Sequence, residues 1–327
     1  MLNFIYNIDL RTKIIIDLTW DPDHINHQMP LSWICNDRSA PFFHVINLFS
    51  PKYKWIALAE MPHTDNWYDT VEKIYSEKDV RSVIIRGCYE PVADFLESKG
   101  YEKVAIGREA VLKLSFDHFK KKSLKELVRR GMRHGSIVEL ERTSANFMKL
   151  EDFKNSNAHS PAPQLKYLFF DEFIKGTRLF VFISHTGIWY GAILISENST
   201  TKLHTELIMR RKHAPVGIME ALICHIFNYF KTTKYQELSL GEVPFVVKTF
   251  KSSESYKSFL TNKVGTVLRF AYNYKGLFDF KNKFNPFWED IYLCAKPKIK
   301  LFHIATIALK TKLISLVLYK LFHPKHK

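Results

Sequence analysis

Residues 203–245 read LHTELIMRRKHAPVGIMEALICHIFNYFKTTKYQELSLGEVPF, and the parsing of this stretch decides the fold. Leu203–Met209 has the composition of a strand. Arg210, Arg211, Lys212 and His213 make a basic loop that ends at Gly217. From Ile218 to Lys231, apolar residues recur at helical spacing (Ile218, Ala221, Leu222, Ile226, Tyr229, Phe230). Gln236–Leu240 returns as a strand, and Gly241-Glu242-Val243-Pro244-Phe245 is expected to break it. A strand feeding a cationic loop at a helix N-terminus can hold an anion, because unpaired amides and the helix dipole both point there. The same pattern also fits a plain crossover with a solvated turn.

Outward from this unit, the chain reads as alternating strands and helices. Toward the N-terminus, strands are expected at Lys13–Leu18, Phe42–Leu48 and Trp55–Ala59, then a helix at Asp65–Lys78 and a strand at Asp79–Arg86. A helix at Tyr89–Lys99 closes on Gly100, and Lys103–Ile106 and Ala110–Leu114 flank a turn at Gly107-Arg108-Glu109. Further on, a strand is expected at Ile137–Arg142, a loop at Asn155–Pro163 and a helix around Leu165–Ile174. Three consecutive strands (Leu179–His185, Trp189–Ser196, Lys202–Met209) lead into the opening stretch. The second half thus repeats the first in element order, without repetition at the level of residues.

Phe119–Arg133 differs from its surroundings. Lys120, Lys121, Lys122, Lys125, Arg129, Arg130 and Arg133 stand against the single acid Glu126, with Leu124, Leu127 and Val128 forming one apolar seam. A solvated face and a phosphate-binding face both fit such a helix. The whole chain shows the same bias, with 48 Lys and Arg against 33 Asp and Glu among 327 residues, a net charge of +15. That excess favours polyanion partners, nucleic acid or an anionic membrane surface. Hydrophobic residues at 46% exclude a disordered chain.

Cys35, Cys88, Cys224 and Cys294 lack zinc-type spacing and read as free thiols in a reducing compartment. No signal peptide, spanning helix, metal site or organic cofactor is expected. Near the C-terminus, aromatics interleave with lysines from Tyr272 through Phe280-Lys281-Asn282-Lys283-Phe284 to Phe287-Trp288. They suit base stacking or an aromatic core with snorkelling lysines. Lys296–Lys327 carries eight lysines and no acid beside a broad apolar surface, the pattern of a basic helix lying in a membrane interface; a helix docked on the domain or a dimer contact also fits.

Several motifs together resemble the cytoplasmic synthase domain of the bacterial phosphatidylglycerol lysyltransferases, from about Trp55 to Leu293. They are Ile106-Gly107-Arg108-Glu109-Ala110, Ala214-Pro215-x-Gly217-x-Met219, Leu240-Gly241-x-x-Pro244 and Tyr272-Asn273-Tyr274-Lys275-Gly276-Leu277. The last runs on through Phe280-Lys281-x-Lys283-Phe284-x-Pro286-x-Trp288-Glu289 to Tyr292-Leu293.

The resemblance implies an α/β fold of tandem acetyltransferase-like (GNAT) domains. The units are expected at residues 1–118 and 136–295, joined by the basic helix 119–135 and followed by an amphipathic tail, 296–327. It implies transfer of an aminoacyl group from charged tRNA, as co-substrate, to a hydroxyl of phosphatidylglycerol, on the inner face of a bacterial membrane. The family's flippase helices are not expected within this sequence.

By the same resemblance, Glu206 would hold the donor's amino group or move a proton, and Arg210 or Arg211 would hold the tRNA terminus or the lipid phosphate; a strand-end Glu206–Arg210 ion pair is the alternative. Gly107, Arg108, Glu109, Arg211, Gly217, Gly241, Glu242, Tyr272, Asn273 and Lys275 would bind substrate. Lys121, Lys122, Lys125, Arg129, Arg130, Arg133, Lys281 and Lys283 would bind tRNA. Where lysyl-specific members carry Lys-x-Gly-Glu-Glu-Ala, this chain has Ala105-x-Gly107-Arg108-Glu109-Ala110, so the amino acid is left open. An acyl-CoA-dependent N-acyltransferase and a non-catalytic lipid- or RNA-binding module remain the alternatives.

Overall fold

The computed structural model describes residues 29–62, 66–158, 160–246 and 274–323. The strand expected at Lys13–Leu18 and the residues Tyr272 and Asn273 lie outside them. Strands β1 (Trp33–Cys35), β2 (Phe42–Asn47) and β3 (Tyr53–Met61) open the described chain. Helix α1 (Trp67–Tyr75) starts where the Asn66 side chain accepts from the Tyr68 N–H at 3.0 Å. Then come β4 (Ser82–Tyr89), α2 (Glu90–Ser98), β5 (Glu102–Lys113) and the basic helix α3 (Lys122–Met132).

The second half runs β6 (Gly135–Leu140), α4 (Ser144–Asn155), β7 (Thr177–Ser184), β8 (Trp189–Glu197) and β9 (Lys202–Arg210). It continues through α5 (Ile218–Phe230), β10 (Glu237–Pro244), α6 (Tyr274–Asn282) and β11 (Phe287–Lys296). Two C-terminal helices, α7 (Leu301–Lys310) and α8 (Leu313–Phe322), follow.

The eleven strands among the described residues form one sheet, ordered β1-β3-β4-β11-β5-β10-β9-β8-β7-β6, with β2 on β3. β9 and β10 are parallel neighbours joined by α5, and β3 and β4 are parallel neighbours joined by α1. The two halves therefore share one plan, a parallel crossover followed by a helix and a last strand. Their last strands are exchanged. β11, from the second half, lies between β4 and β5, and β5, from the first, pairs with β10. The unit drawn at residues 136–295 thus contributes a strand that pairs with two strands of residues 1–118.

One core lies beneath α5, where Ile218, Leu222 and Phe230 meet Phe180, Phe182, Leu203, Leu238 and Leu240. A second gathers Trp33, Trp67, Ile85, Val92 and Leu96 around α1 and α2.

Four local expectations are corrected. Lys103–Ile106 and Ala110–Leu114 are one strand, not two around a turn, because Gly107 faces β10 rather than bending the chain. A Cβ there would lie 2.6 Å from the Val243 carbonyl oxygen. β10 does not end at Gly241 but continues to Pro244 through a bulge, with Gly241 at φ +82°.

Residues 165–174 form no helix; the helix is at Ser144–Asn155, capped by the Thr143 side chain accepting from the Asn146 N–H. Phe170 and Phe173 instead bury in two different cores, one with Trp55 and Ile299, the other with Phe153 and Trp189. The Phe170 N–H donates to a buried carboxylate rather than to a helical carbonyl. Finally, the tail is two helices meeting at 67°, with Lys312 in the left-handed region at φ +60° between them. No single helix among the described residues is long and apolar enough to cross a membrane.

Candidate active site

Charge gathers where the exchanged strands meet. In the registers of β5 with β10 and with β11, Glu109 stands opposite Glu242 on one side and Glu289 on the other. Directly opposed residues of antiparallel strands share a face, so three carboxylates lie abreast, an arrangement that repels itself unless cations intervene. They do. The Lys202 Nζ on β9 lies 2.7 Å from Glu109 and 3.7 Å from Glu289. Arg86 on β4 pairs with Glu242, and His204 Nδ1 lies 3.8 Å from Glu109 and 3.2 Å from the Ser239 hydroxyl.

Burial would push the Glu109 carboxyl up, but the Lys202 ammonium, with help from His204, overrides it and holds the acid at about 2. Glu109 is therefore ionised at neutral pH. The neighbouring Tyr89 hydroxyl is pushed up by burial, and its ring lies 4.6 Å from the Lys202 ammonium.

Lys281 enters this centre from α6 and is only 3% exposed. Its Nζ donates to the Glu242 carbonyl at 2.9 Å. The bulge holds it close to other groups of the centre. A Cβ on Gly241 would lie 3.5 Å from Lys281 Nζ, 3.4 Å from the Thr205 carbonyl oxygen and 3.9 Å from His204 Cε1. Burial lowers the Lys281 ammonium to about 7, against the opposing pull of Glu242 and Glu109. An amine that exchanges its proton near neutrality, beside a carboxylate that keeps its charge, is equipped for proton transfer.

Glu206 and Arg210 do not meet. Glu206 is buried, with Ser196 Oγ donating to one carboxylate oxygen at 2.6 Å and the Phe170 N–H to the other at 2.9 Å. It anchors the segment around Phe170, whereas Arg210 is exposed at the end of β9. No ion pair joins the two among the described residues. Arg211 is turned back onto the protein, its Nε donating to the Trp189 carbonyl at 2.9 Å.

The N-terminus of α5, expected to hold an anion, is covered by α3. A Cβ on Gly217 would lie 2.1 Å from the Leu127 carbonyl oxygen, and one on Gly131 would lie 2.3 Å from the Gly217 carbonyl oxygen. The backbones of α3 and α5 touch there.

Other expected residues are sorted by the structure. Gly107 lines the β5–β10 contact, Arg108 pairs with Asp290 at 3.2 Å, and Lys275 is exposed on α6. Lys121, Lys122, Lys125, Arg129, Arg130 and Arg133 are all exposed on or beside α3, available to a phosphate backbone. Lys281 is not, because it lies inside the ionic centre. Lys283 pairs with Glu220 at 2.9 Å. Sequence reasoning missed Lys202, His204 and Arg86. The available signal was Lys202-x-His204-x-Glu206, polar groups recurring at the strand period.

A single large sheet built from two crossover units with exchanged last strands, centred on a buried ionic cluster, defines a tandem acetyltransferase-like fold. The sequence places the chain more narrowly. Residues 54–295 match the family described as "Phosphatidylglycerol lysyltransferase, C-terminal", and the chain belongs to that family.

A Bacillus subtilis (strain 168) phosphatidylglycerol lysyltransferase is 32% identical over 117 residues, which cover 35% of this chain and 13% of that protein. Among solved structures, L-PGS from Bacillus licheniformis superposes with a TM-score of 0.64 at 17% identity, covering 85% of this chain and 87% of that one. The C-terminal domain (DUF2156) of an Agrobacterium fabrum protein described as a lysylphosphatidylglycerol synthetase gives a TM-score of 0.60 at 17% identity, covering 89% of each chain.

Proposed function

We propose that the chain transfers an aminoacyl group from charged tRNA to a hydroxyl of phosphatidylglycerol or a related membrane lipid. Family membership and the buried Lys281, in the same ionic centre as Glu109, support this reading, and the Lys281 environment carries the chemistry. The lipid hydroxyl attacks the ester carbonyl of the aminoacyl-tRNA. Neutral Lys281 takes the hydroxyl proton and returns it to the ribose oxygen as the old ester bond breaks. Glu109, ionised at neutral pH, attracts the donor's α-ammonium, and the surrounding cations stabilise the oxyanion.

The exposed cations of α3 suit the tRNA backbone. The tail suits the lipid side. Leu301 and Phe322 are 70% and 76% exposed, and Leu309, Leu318 and Leu321 are exposed among Lys310, Lys312 and Lys320. Such a bent pair would lie in the interface of an anionic membrane, on its inner face.

The test is incubation with each charged tRNA and phosphatidylglycerol vesicles, followed by staining of extracted lipid for primary amines. A new amine-bearing lipid is expected with at least one amino acid. Its absence with all of them overturns the proposal.

A further inference from the structure

Of the aromatic and lysine residues between 280 and 288, the structure buries Lys281 and Phe284 but leaves Phe287 at the surface, 40% exposed. It is not isolated there. Phe116, from the loop after β5, is 37% exposed, and its ring centroid lies 5.5 Å from that of Phe287 at an interplanar angle of 72°.

Two lysines stand over these rings, Lys113 Nζ 4.9 Å from the Phe287 centroid and Lys120 Nζ 5.5 Å from that of Phe116. Buried His118 packs edge-on to both rings, at 4.9 Å and 5.9 Å, and its Nδ1 sits 3.0 Å from the Asn285 carbonyl. The two phenylalanines are therefore packed against each other and against a buried ring rather than simply left uncovered. The chain leads directly from Lys120 into the exposed cations of α3. In the other direction, Phe287 and Glu289 share a face of β11 two residues apart, about 7 Å along a strand, and Glu289 pairs with Lys202 in the ionic centre.

We propose that Phe116 and Phe287, with Lys113 and Lys120 over their faces, form a stacking platform for the unpaired bases at the 3′ end of the tRNA. This rests on the aminoacyl-tRNA reading and adds to it the place where the acceptor end is gripped. Fixed aromatic faces stack any base, and the lysines neutralise the phosphates between stacked bases. Phosphate contacts on α3 hold the duplex part of the acceptor arm. The platform holds the single strand, so that the terminal ribose ester falls at the Glu289–Lys202–Glu109 row. A duplex would not present free base faces, which is why the platform selects a single-stranded end.

The experiment measures binding of the full chain to deacylated tRNA and to the same tRNA shortened by its last three nucleotides. Wild type, the double variant Phe116→Leu/Phe287→Leu and the aromatic-retaining Phe116→Tyr/Phe287→Tyr are compared at one salt concentration. Leucine keeps the apolar packing but removes the stacking face. Shortening the tRNA should weaken wild type and the tyrosine variant by about tenfold or more, the range of one to two stacked bases. The leucine variant should bind both RNAs equally, at the level of wild type with the shortened one. If the leucine variant still discriminates as wild type does, the platform is overturned while the tRNA reading stands. If wild type binds neither RNA, both are overturned.

Discussion

Lys281 titrates near neutrality because it is buried, and this gives it two separable signatures. Its ammonium is held at about 7 in the folded protein, against an ordinary value near 10.5. Below pH 7 the amine is protonated folded or unfolded, so it adds no slope to stability. Between about pH 7 and 10 the unfolded chain binds the proton and the folded one does not, so stability rises with pH. Lys281→Met should remove that rise in urea titrations at several pH values. The transfer rate should climb through about pH 7 in wild type and fall by roughly 10²–10⁴-fold in the variant, as for loss of a proton-transfer group.

Glu109 also makes stability rise with pH, but because its charged form is the favoured one. Held at about 2, it contributes stability that is complete above the usual carboxylate range and is lost as the pH falls toward 2. Glu109→Gln strands Lys202 without its closest anion and should cost about 3–5 kcal/mol in a denaturant midpoint measurement. Adding Lys202→Met should restore part of that loss.

Among the elements, α3 and the C-terminal pair give the clearest tests. Gly217 has φ +95° and its Cβ position is occupied by the Leu127 carbonyl, so α3 and α5 meet backbone to backbone. Gly217→Ala should therefore cost about 1–3 kcal/mol in chemical denaturation, from strain and separation of the helices. For α7 and α8, removing Lys310, Lys312 and Lys320 together should weaken binding to phosphatidylglycerol vesicles by about 1 kcal/mol per lysine, with little change on neutral lipid, by co-sedimentation.

Elements held by local pattern were legible in the sequence. The β9–α5–β10 crossover follows from strand, helix and strand periods within about forty residues. Residues 165–174 were not legible. Their apolar spacing suits a helix, but Phe170 and Phe173 are drawn to separate cores and Glu206 takes the Phe170 N–H. The same long-range logic hid the site. Glu109, Glu242 and Glu289 become neighbours only through strand register, while Glu206, which the motif favoured, has its carboxylate held by Ser196 and the Phe170 N–H.

Across the whole molecule, the exchange of β5 and β11 makes the two halves mutually dependent. β11 is hydrogen-bonded to β4 on one side and β5 on the other, and β5 is hydrogen-bonded to β10. A chain cut between β5 and β6 should not give two independently folded pieces. The intact protein should unfold in one transition by circular dichroism and tryptophan fluorescence alike, since Trp33, Trp55 and Trp67 lie in the first half and Trp189 in the second.

Synthesis on the ribosome meets this wiring as a delay. β4 and β5 have emerged by Lys113, but the strand that joins them begins at Phe287. At ordinary elongation rates the interval is about 10–30 s. Throughout it the nascent chain displays bare strand edges flanked by Val, Ile and Leu, a natural target for holding chaperones and for pairing with neighbouring nascent chains.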